Sequence, residues 1–288
     1  GPIGSAGALE VATYTVSATL PMGRCPVFAV HSPDNRRMFV LNRGDDTITV
    51  INSQNNTLDA CTPFVSQSGR TVTCHPSLPL STTAGLTGTN VPAIAGPVYA
   101  EYNVAASQLV IADYDGGAIS VIDVSLDEYG NDSDTFGTTF TIPVGNNPAS
   151  VTALYDGSRA YTANQTDGTV TIVNLSSHTV EKTLAVVGHP RTVVSISNSL
   201  YGKVYVASPD SPYLTIIRVD QDIVDTNVLV QGNIIDVRNG NQNGISGNTI
   251  NTSRVPGYGE PCYLPASVMA ANGITTPTLA QCQSQTLP

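Results

Sequence analysis

An all-β fold assembled from one repeated antiparallel unit is what this sequence predicts, on three observations. Four stretches, starting at Pro26, Pro97, Pro148 and Pro190, share one pattern. Each runs from proline into a short apolar strand, a turn, a second apolar strand closing on a polar residue, a polar turn, and a third strand of alternating β-branched residues. No apolar stretch keeps a helical period beyond about two turns. Charged residues make up only 12% of the chain, so the Lys and Glu that favour helices are scarce, while Gly, Thr, Ser, Asn and Val abound. A repeat of this kind marks units that cannot bury their apolar faces alone and must stack on one another.

The elements follow in register. The second strands are Met38-Phe39-Val40-Leu41-Asn42, Gln108-Leu109-Val110-Ile111-Ala112-Asp113, Ala160-Tyr161-Thr162-Ala163-Asn164 and Val204-Tyr205-Val206-Ala207-Ser208. From proline to the closing polar residue is 16 residues in the first three copies and 18 in the fourth, which inserts around Ser199 to Gly202. Six residues later the third strands begin, at Ile48, Ile119, Val170 and Leu214, with the period-two alternation of a strand packed on its faces. Asp115-Gly116-Gly117 and Asp167-Gly168 supply turn residues that tolerate positive φ. Fourth strands are predicted at Phe140 to Val144 and Val180 to Val186. Val16 to Leu20 reads as the last strand of a preceding unit, with residues 1–9 a linker. Four antiparallel strands in roughly 40–50 residues make one blade of a β-propeller, whose radial stacking leaves only short edges.

The segments Phe39-Val40-Leu41-Asn42, Tyr161-Thr162-Ala163-Asn164 and Tyr205-Val206-Ala207-Ser208, each leading into a Thr/Val/Ile strand, resemble the YVTN family of β-propeller repeats. The resemblance covers about residues 10–230. It implies a propeller of secreted or surface-layer type, as found in bacteria and archaea. The family often has seven blades. Four complete blades are legible here, so N-terminal blades are expected upstream of the first orphan strand. The propeller is predicted over residues 10–238, with an insertion at 59–96 between the first two blades and an irregular tail at 239–288. The resemblance is specific for fold and unspecific for activity, because propellers host many unrelated functions.

The insertion carries Cys61 and Cys74, and the tail carries Cys262 and Cys282. Long irregular segments are usually functional or tied down, and each pair is read as a local disulfide. A loop of this size gains about 3 kcal/mol in the chain-entropy model. Cys25 is left over: it packs beside Pro26 or pairs with sequence outside this chain. Disulfides place the protein in an oxidising, extracytoplasmic compartment, periplasmic, secreted or surface-anchored. Glycosylation acceptors stand at Asn55, Asn131, Asn164, Asn174 and Asn251 and matter only in a glycosylating host.

The formal net charge is −10, and the 12 basic residues are scattered rather than clustered. A phosphate backbone would be repelled, which excludes nucleic acid as a partner. Anionic membrane surfaces are disfavoured on the same ground, and no apolar run suits membrane insertion. No nucleophile elbow, Cys-x-x-Cys, His-Glu-x-x-His or phosphate-cradling loop occurs, so no catalytic residues are assigned and no cofactor is expected.

Two candidate sites remain. Closely spaced carboxylates are what calcium requires, and Asp127, Asp132 and Asp134 form such a group; the bland alternative is a solvated acidic turn. Asp220, Asp222 and Asp225 invite the same comparison. The connection entering each innermost strand borders the axial channel of a propeller. Arg24, Asn146, Asn147, His189 and Arg191 are therefore placed at one channel mouth, with His31 and Glu101 near inner-strand ends. Such a ring suits a small anionic or sugar-like ligand; the alternative is ordinary loop residues satisfying backbone groups. The function expected is a non-catalytic extracytoplasmic scaffold that binds a protein or glycan at the cell surface. A self-assembling subunit of a surface layer or filament, and a metal-dependent hydrolase of the propeller lactonase type, are the alternatives.

Overall fold

The computed structural model describes residues 2–10, 15–67, 69–196, 202–230 and 232–238. Contacts divide the chain into a unit of residues 1–238 and a second of 239–288. The expected tail and its Cys262–Cys282 bridge lie outside the described residues, as does most of the insertion expected in the fourth repeat.

The chain opens with an antiparallel hairpin, β1 (Ile3–Glu10) and β2 (Thr15–Arg24). Residues 1–9, expected as a linker, thus contain most of a strand. The orphan strand has one partner, because Ser5 to Leu9 is extended and pairs with Val16 to Pro21. Four sheets follow. The first contains β3 (Pro26–His31), β4 (Arg37–Asn42), β5 (Thr47–Asn52) and the two-residue β6 (Thr57–Leu58). The chain then leaves for a small hairpin, β7 (Phe64–Val65) and β8 (Thr71–Val72). It returns as β9 (Ser77–Pro79), which pairs with the other half of β5. Of the insertion expected between the first two blades, residues 80–96 lie there, but its first part begins inside the outermost strand of the first blade, which it splits in two. The Cys61–Cys74 disulfide closes the excursion at its base.

The second sheet is β10 (Pro97–Asn103), β11 (Gln108–Asp113), β12 (Ala118–Asp123) and β13 (Thr139–Pro143). The third is β14 (Pro148–Ala153), β15 (Arg159–Asn164), β16 (Thr169–Asn174) and β17 (Thr179–Ala185). The fourth is β18 (Thr192–Ile196), β19 (Lys203–Ala207), β20 (Tyr213–Arg218) and β21 (Ile223–Leu229). All pair antiparallel in sequence order.

Alternation along the strands explains the stacking. On β11, Leu109 and Ile111 join Phe39, Leu41, Ile48 and Val50 of the first sheet in one core. Their neighbours Val110 and Ala112 face the other way and pack with Val151, Ala160 and Val173 of the third. On β15, Tyr161 and Ala163 continue toward Val193, Val204, Val206 and Ile217 of the fourth. The two middle sheets are thus buried on both faces, each against a different neighbour, and each fully buried Leu or Ile contributes about 1.5–3 kcal/mol. Contacts between successive sheets concentrate on the innermost strands β3, β10, β14 and β18. These are blades of a β-propeller. Met22 and Leu20 of the N-terminal hairpin pack on Val40 and Ile51, covering the outer face of the first blade.

Candidate functional site

The blades present two edges. One carries the turns between second and third strands together with the connections entering the innermost strands. The other carries the first-to-second and third-to-fourth connections. Five of the seven residues expected at a channel mouth lie on the first edge: Arg24, Asn146, Asn147, His189 and Arg191. His31 ends β3 on the second edge, its Nδ1 at 2.9 Å from the Ser32 carbonyl oxygen. Glu101 lies within β10, where burial pushes its carboxyl up to about 7 against hydrogen bonds from the Thr152 side chain and Ala153 backbone.

On the first edge Arg24, Asn146, Asn147 and His189 are occupied by hydrogen bonds to other loops. The Arg24 N–H and Nε donate to Asp45 at 2.5 and 2.6 Å. The Asn146 N–H and Nδ2 donate to Asp167 at 2.7 and 2.8 Å. The His189 N–H donates to Asp210 Oδ1 at 2.9 Å, and its Nδ1 lies 2.6 Å from Oδ2. In each case the aspartate stands 21 residues later in the chain. A carboxylate holding one backbone and one side-chain donor acts like an N-cap on the loop, and these bonds lower the pKa of Asp45, Asp167 and Asp210. Asn147, at φ 54, donates from Nδ2 to the Tyr114 carbonyl and accepts from Thr166 Oγ1. The second blade breaks the pattern. There Gly96 has φ 60, and a Cβ on it would sit 1.9 Å from Asp115 Oδ2. Asp115 instead receives Arg43 of the first blade at 2.9 and 3.1 Å.

Just inside this edge, Asn42, Asp113 and Asn164 close their second strands and are fully buried. The two amides each donate to a pair of threonine hydroxyls, Thr47 with Thr49 and Thr169 with Thr171. Asp113 accepts from Ser120 Oγ at 2.6 Å, and burial pushes it up to about 8, so at neutral pH it is a protonated counterpart of those amides.

The second edge is built differently. Arg37, 5% exposed at the start of β4, reaches Asp59 at 3.2 Å and Asp132 at 3.4 Å. His75 Nδ1 lies 2.8 Å from the other Asp132 oxygen, and its ring stacks on Phe136. Arg70 donates to Asp134 and Asp127, both at 2.8 Å, and to the Asp132 carbonyl at 2.6 Å. Asp59, Arg70 and His75 belong to the insertion, whereas Asp127, Asp132 and Asp134 belong to the second blade. The disulfide-closed excursion is therefore bolted across a blade boundary. Burial, with Asp132 nearby, raises Asp59 to about 6 against the pull of Arg37. Burial also works on Asp127, but hydrogen bonds from Arg70, Asn131 and the Tyr129 N–H outweigh it and hold its pKa at about 2. Positive charge reaches the carboxylates of the expected calcium loop from Arg70 and Arg37. The third and fourth blades repeat the device in smaller form, where Asp222 accepts from Arg159 and from the Tyr161 hydroxyl.

A cleft of about 310 Å³ opens on this same edge at the seam of the first two blades. The first blade contributes Asp34, Arg36 and Arg37, and the second contributes Tyr102, Ser107 and Asp127. None but Asp127 was singled out by sequence. The one available signal was the charge density of Asp34-Asn35-Arg36-Arg37 in a turn where the other repeats carry fewer ions.

Stacked four-stranded blades make this a β-propeller protein. No family model matches the chain, and no curated protein matches it. Among solved structures it is similar to Kuenenia stuttgartiensis hydrazine synthase, at 14% identity and a TM-score of 0.53, covering 76% of this chain and 53% of that one. It also aligns with dihydro-heme d1 dehydrogenase NirN in complex with DHE, at 12% identity and a TM-score of 0.47, covering 80% of this chain and 52% of that one. The chain thus spans about half the length of these proteins. Likeness at such identity speaks to the fold alone.

Proposed function

We propose that this chain is an extracytoplasmic, non-catalytic scaffold of the YVTN-repeat type that binds a protein or glycan at the cell surface. The observation that carries the reading is the insertion, closed by Cys61–Cys74 and docked through Arg70 and His75 onto the second blade. A disulfide suits an oxidising compartment. A tied-down excursion on one edge is more than blade stacking requires, and elaborated loops on a rigid frame are where binding surfaces are built. The ions of the other edge support the same reading from the opposite side, since Asp45, Asp167 and Asp210 are engaged in holding loops. The test is to immobilise the full chain and present surface glycans and envelope proteins from the source cell. Saturable binding, with the ligand recovered at unchanged mass, is expected. Consumption of the ligand with appearance of a product would overturn the non-catalytic reading.

A second reading, a self-assembling surface subunit, draws on the outermost strand β21, where Ile223, Val228 and Leu229 are exposed. Unpaired apolar edges invite pairing with another chain. Sedimentation would show a concentration-dependent rise in mass if it holds and a constant monomer mass if it does not.

A further inference from the structure

We propose that the cleft at the seam of the first two blades holds one ring of a neutral, multiply hydroxylated ligand, a saccharide unit of a surface glycan. The proposal rests on the binding-scaffold reading and names its site. The size fits one ring: 310 Å³ lies at the lower end of the roughly 300–1,000 Å³ typical of small-molecule sites.

The polar groups facing the cleft are incompletely used. Arg37 Nε is buried and has no hydrogen-bond partner, although the rest of its guanidinium is engaged. The nearest carboxylate to the Arg36 guanidinium is Asp34, at 3.7 Å, beyond hydrogen-bond distance. Asp34 spends Oδ1 on the Ser32 hydroxyl and the Arg36 N–H, leaving Oδ2 with only that long contact. The cleft therefore offers the Arg36 guanidinium as donor beside the Asp34 carboxylate as acceptor, over the buried Arg37. A hydroxyl both donates and accepts, so adjacent hydroxyls on one ring can satisfy both kinds together.

Charge argues for neutrality. Two arginines and two aspartates line the cleft, so an anion would meet Asp34 and Asp127 and a cation would meet Arg36 and Arg37. Asp127 stays ionised throughout the physiological range and already accepts from Arg70, Asn131 and the Tyr129 N–H. It therefore sets the potential more than it offers a bond. Tyr102, Val124 and Leu126 supply an apolar wall for the C–H face of a sugar ring.

The experiment is calorimetric titration of the full chain with glucose, galactose, mannose, N-acetylglucosamine and their β-1,4-linked dimers, with sulfate and citrate as anion probes. Saturable binding of at least one sugar is expected. It should weaken about tenfold or more in Arg36→Ala and in Asp34→Asn, the scale of losing a hydrogen bond to a charged group. Arg36→Lys, which keeps the charge, should fall between, and Arg218→Ala, on β20, should bind as the parent does. Both Arg36 and Asp34 are exposed enough for the variants to fold, which thermal melts would verify. Sugar binding untouched by either variant would overturn the site while leaving the scaffold reading standing. Arg36-dependent binding of sulfate or citrate would make it an anion site instead. Absence of binding to any sugar would remove the saccharide proposal and leave the scaffold reading to be decided with protein partners.

Discussion

The two edges of the blade stack solve the same problem with opposite materials. Along the edge of Asp45, Asp167 and Asp210, one short motif recurs: a carboxylate holds a backbone N–H and a side chain from the loop 21 residues before it. Those bonds are local, partly exposed and alike in the three places they occur. Along the opposite edge, Arg37, Arg70 and His75 reach across a blade boundary into a partly buried cluster, of which Arg159, Tyr161 and Asp222 make a smaller version. The difference teaches where specialisation went. The repeated ties hold the loops of that edge, with Asn147 and Arg43 also reaching a neighbouring blade, and leave few groups for a ligand. The edge that recruited an insertion has partners far apart in sequence, unequal burial and a cleft with unspent donors.

The contrast can be broken most severely at Arg37. Arg37→Met leaves Asp59 and Asp132 buried beside one another without their guanidinium, and breaking a buried pair in this way costs about 3–5 kcal/mol. Urea denaturation should show a loss of that size, and a loss below about 1 kcal/mol would mean the cluster is solvated. Replacing Cys61 and Cys74 by serine tests the insertion as a unit. The chain-entropy model assigns about 3 kcal/mol to a loop of this length. Limited proteolysis between Ser66 and Arg70 should accelerate while the blades stay intact.

Acidity sharpens the comparison. Asp113, Glu101 and Asp59 are raised to about 8, 7 and 6. A carboxyl raised in the fold binds its proton more tightly there than in the unfolded chain. Its contribution is complete below its ordinary value and is lost as pH climbs through the raised one. Stability should therefore decline between about pH 4 and 8, at roughly 1.4 kcal/mol per pH unit for each such group within its window. Asp113→Asn, which installs the amide that Asn42 and Asn164 already use, should remove one such slope between pH 5 and 7. Unchanged pH dependence in that variant would show that Asp113 is ionised in the fold. The clamps carry the opposite sign: Asp45, Asp167 and Asp210 are lowered, so their contribution is present above about pH 4 and fades on acidification. The smallest effect belongs there. Asp167→Ala should cost about 1 kcal/mol, as loss of a cap does, and Asp45→Ala should match it because the geometry repeats.

The blades were legible because their physics is local. The unbroken apolar run Leu109 to Ala112 already states that both faces of its strand are buried. Asn42, Asp113 and Asn164 mark the same turn in three copies. The Cys61–Cys74 bridge was legible from spacing. The N-terminal strand was not, since Ile3-Gly4-Ser5-Ala6-Gly7 has the small residues of a linker and becomes β1 only by pairing with β2. The split outer strand of the first blade was equally hidden, because β6 and β9 are each too short to show a period. Arg24, Asn146 and His189 lie on the edge of the connections entering the innermost strands, and their clamping by aspartates in the following turn was not foreseen. The least legible feature was the ion cluster. Asp127, Asp132 and Asp134 stood out as neighbours in sequence, but Arg70 lies 57 and 64 residues away from two of them and Arg37 lies 95 from the third. Spacing carries no information about such partners.

Backbone amide chemical shifts during saccharide titration test most directly the claim that the elaborated edge, and not the repeated one, receives the ligand. Shifts confined to residues 32–37, 102–107 and 124–127 are the predicted result. Shifts gathered instead around Arg24, Asn146, Asn147 and His189, with the cleft amides unmoved, would contradict it.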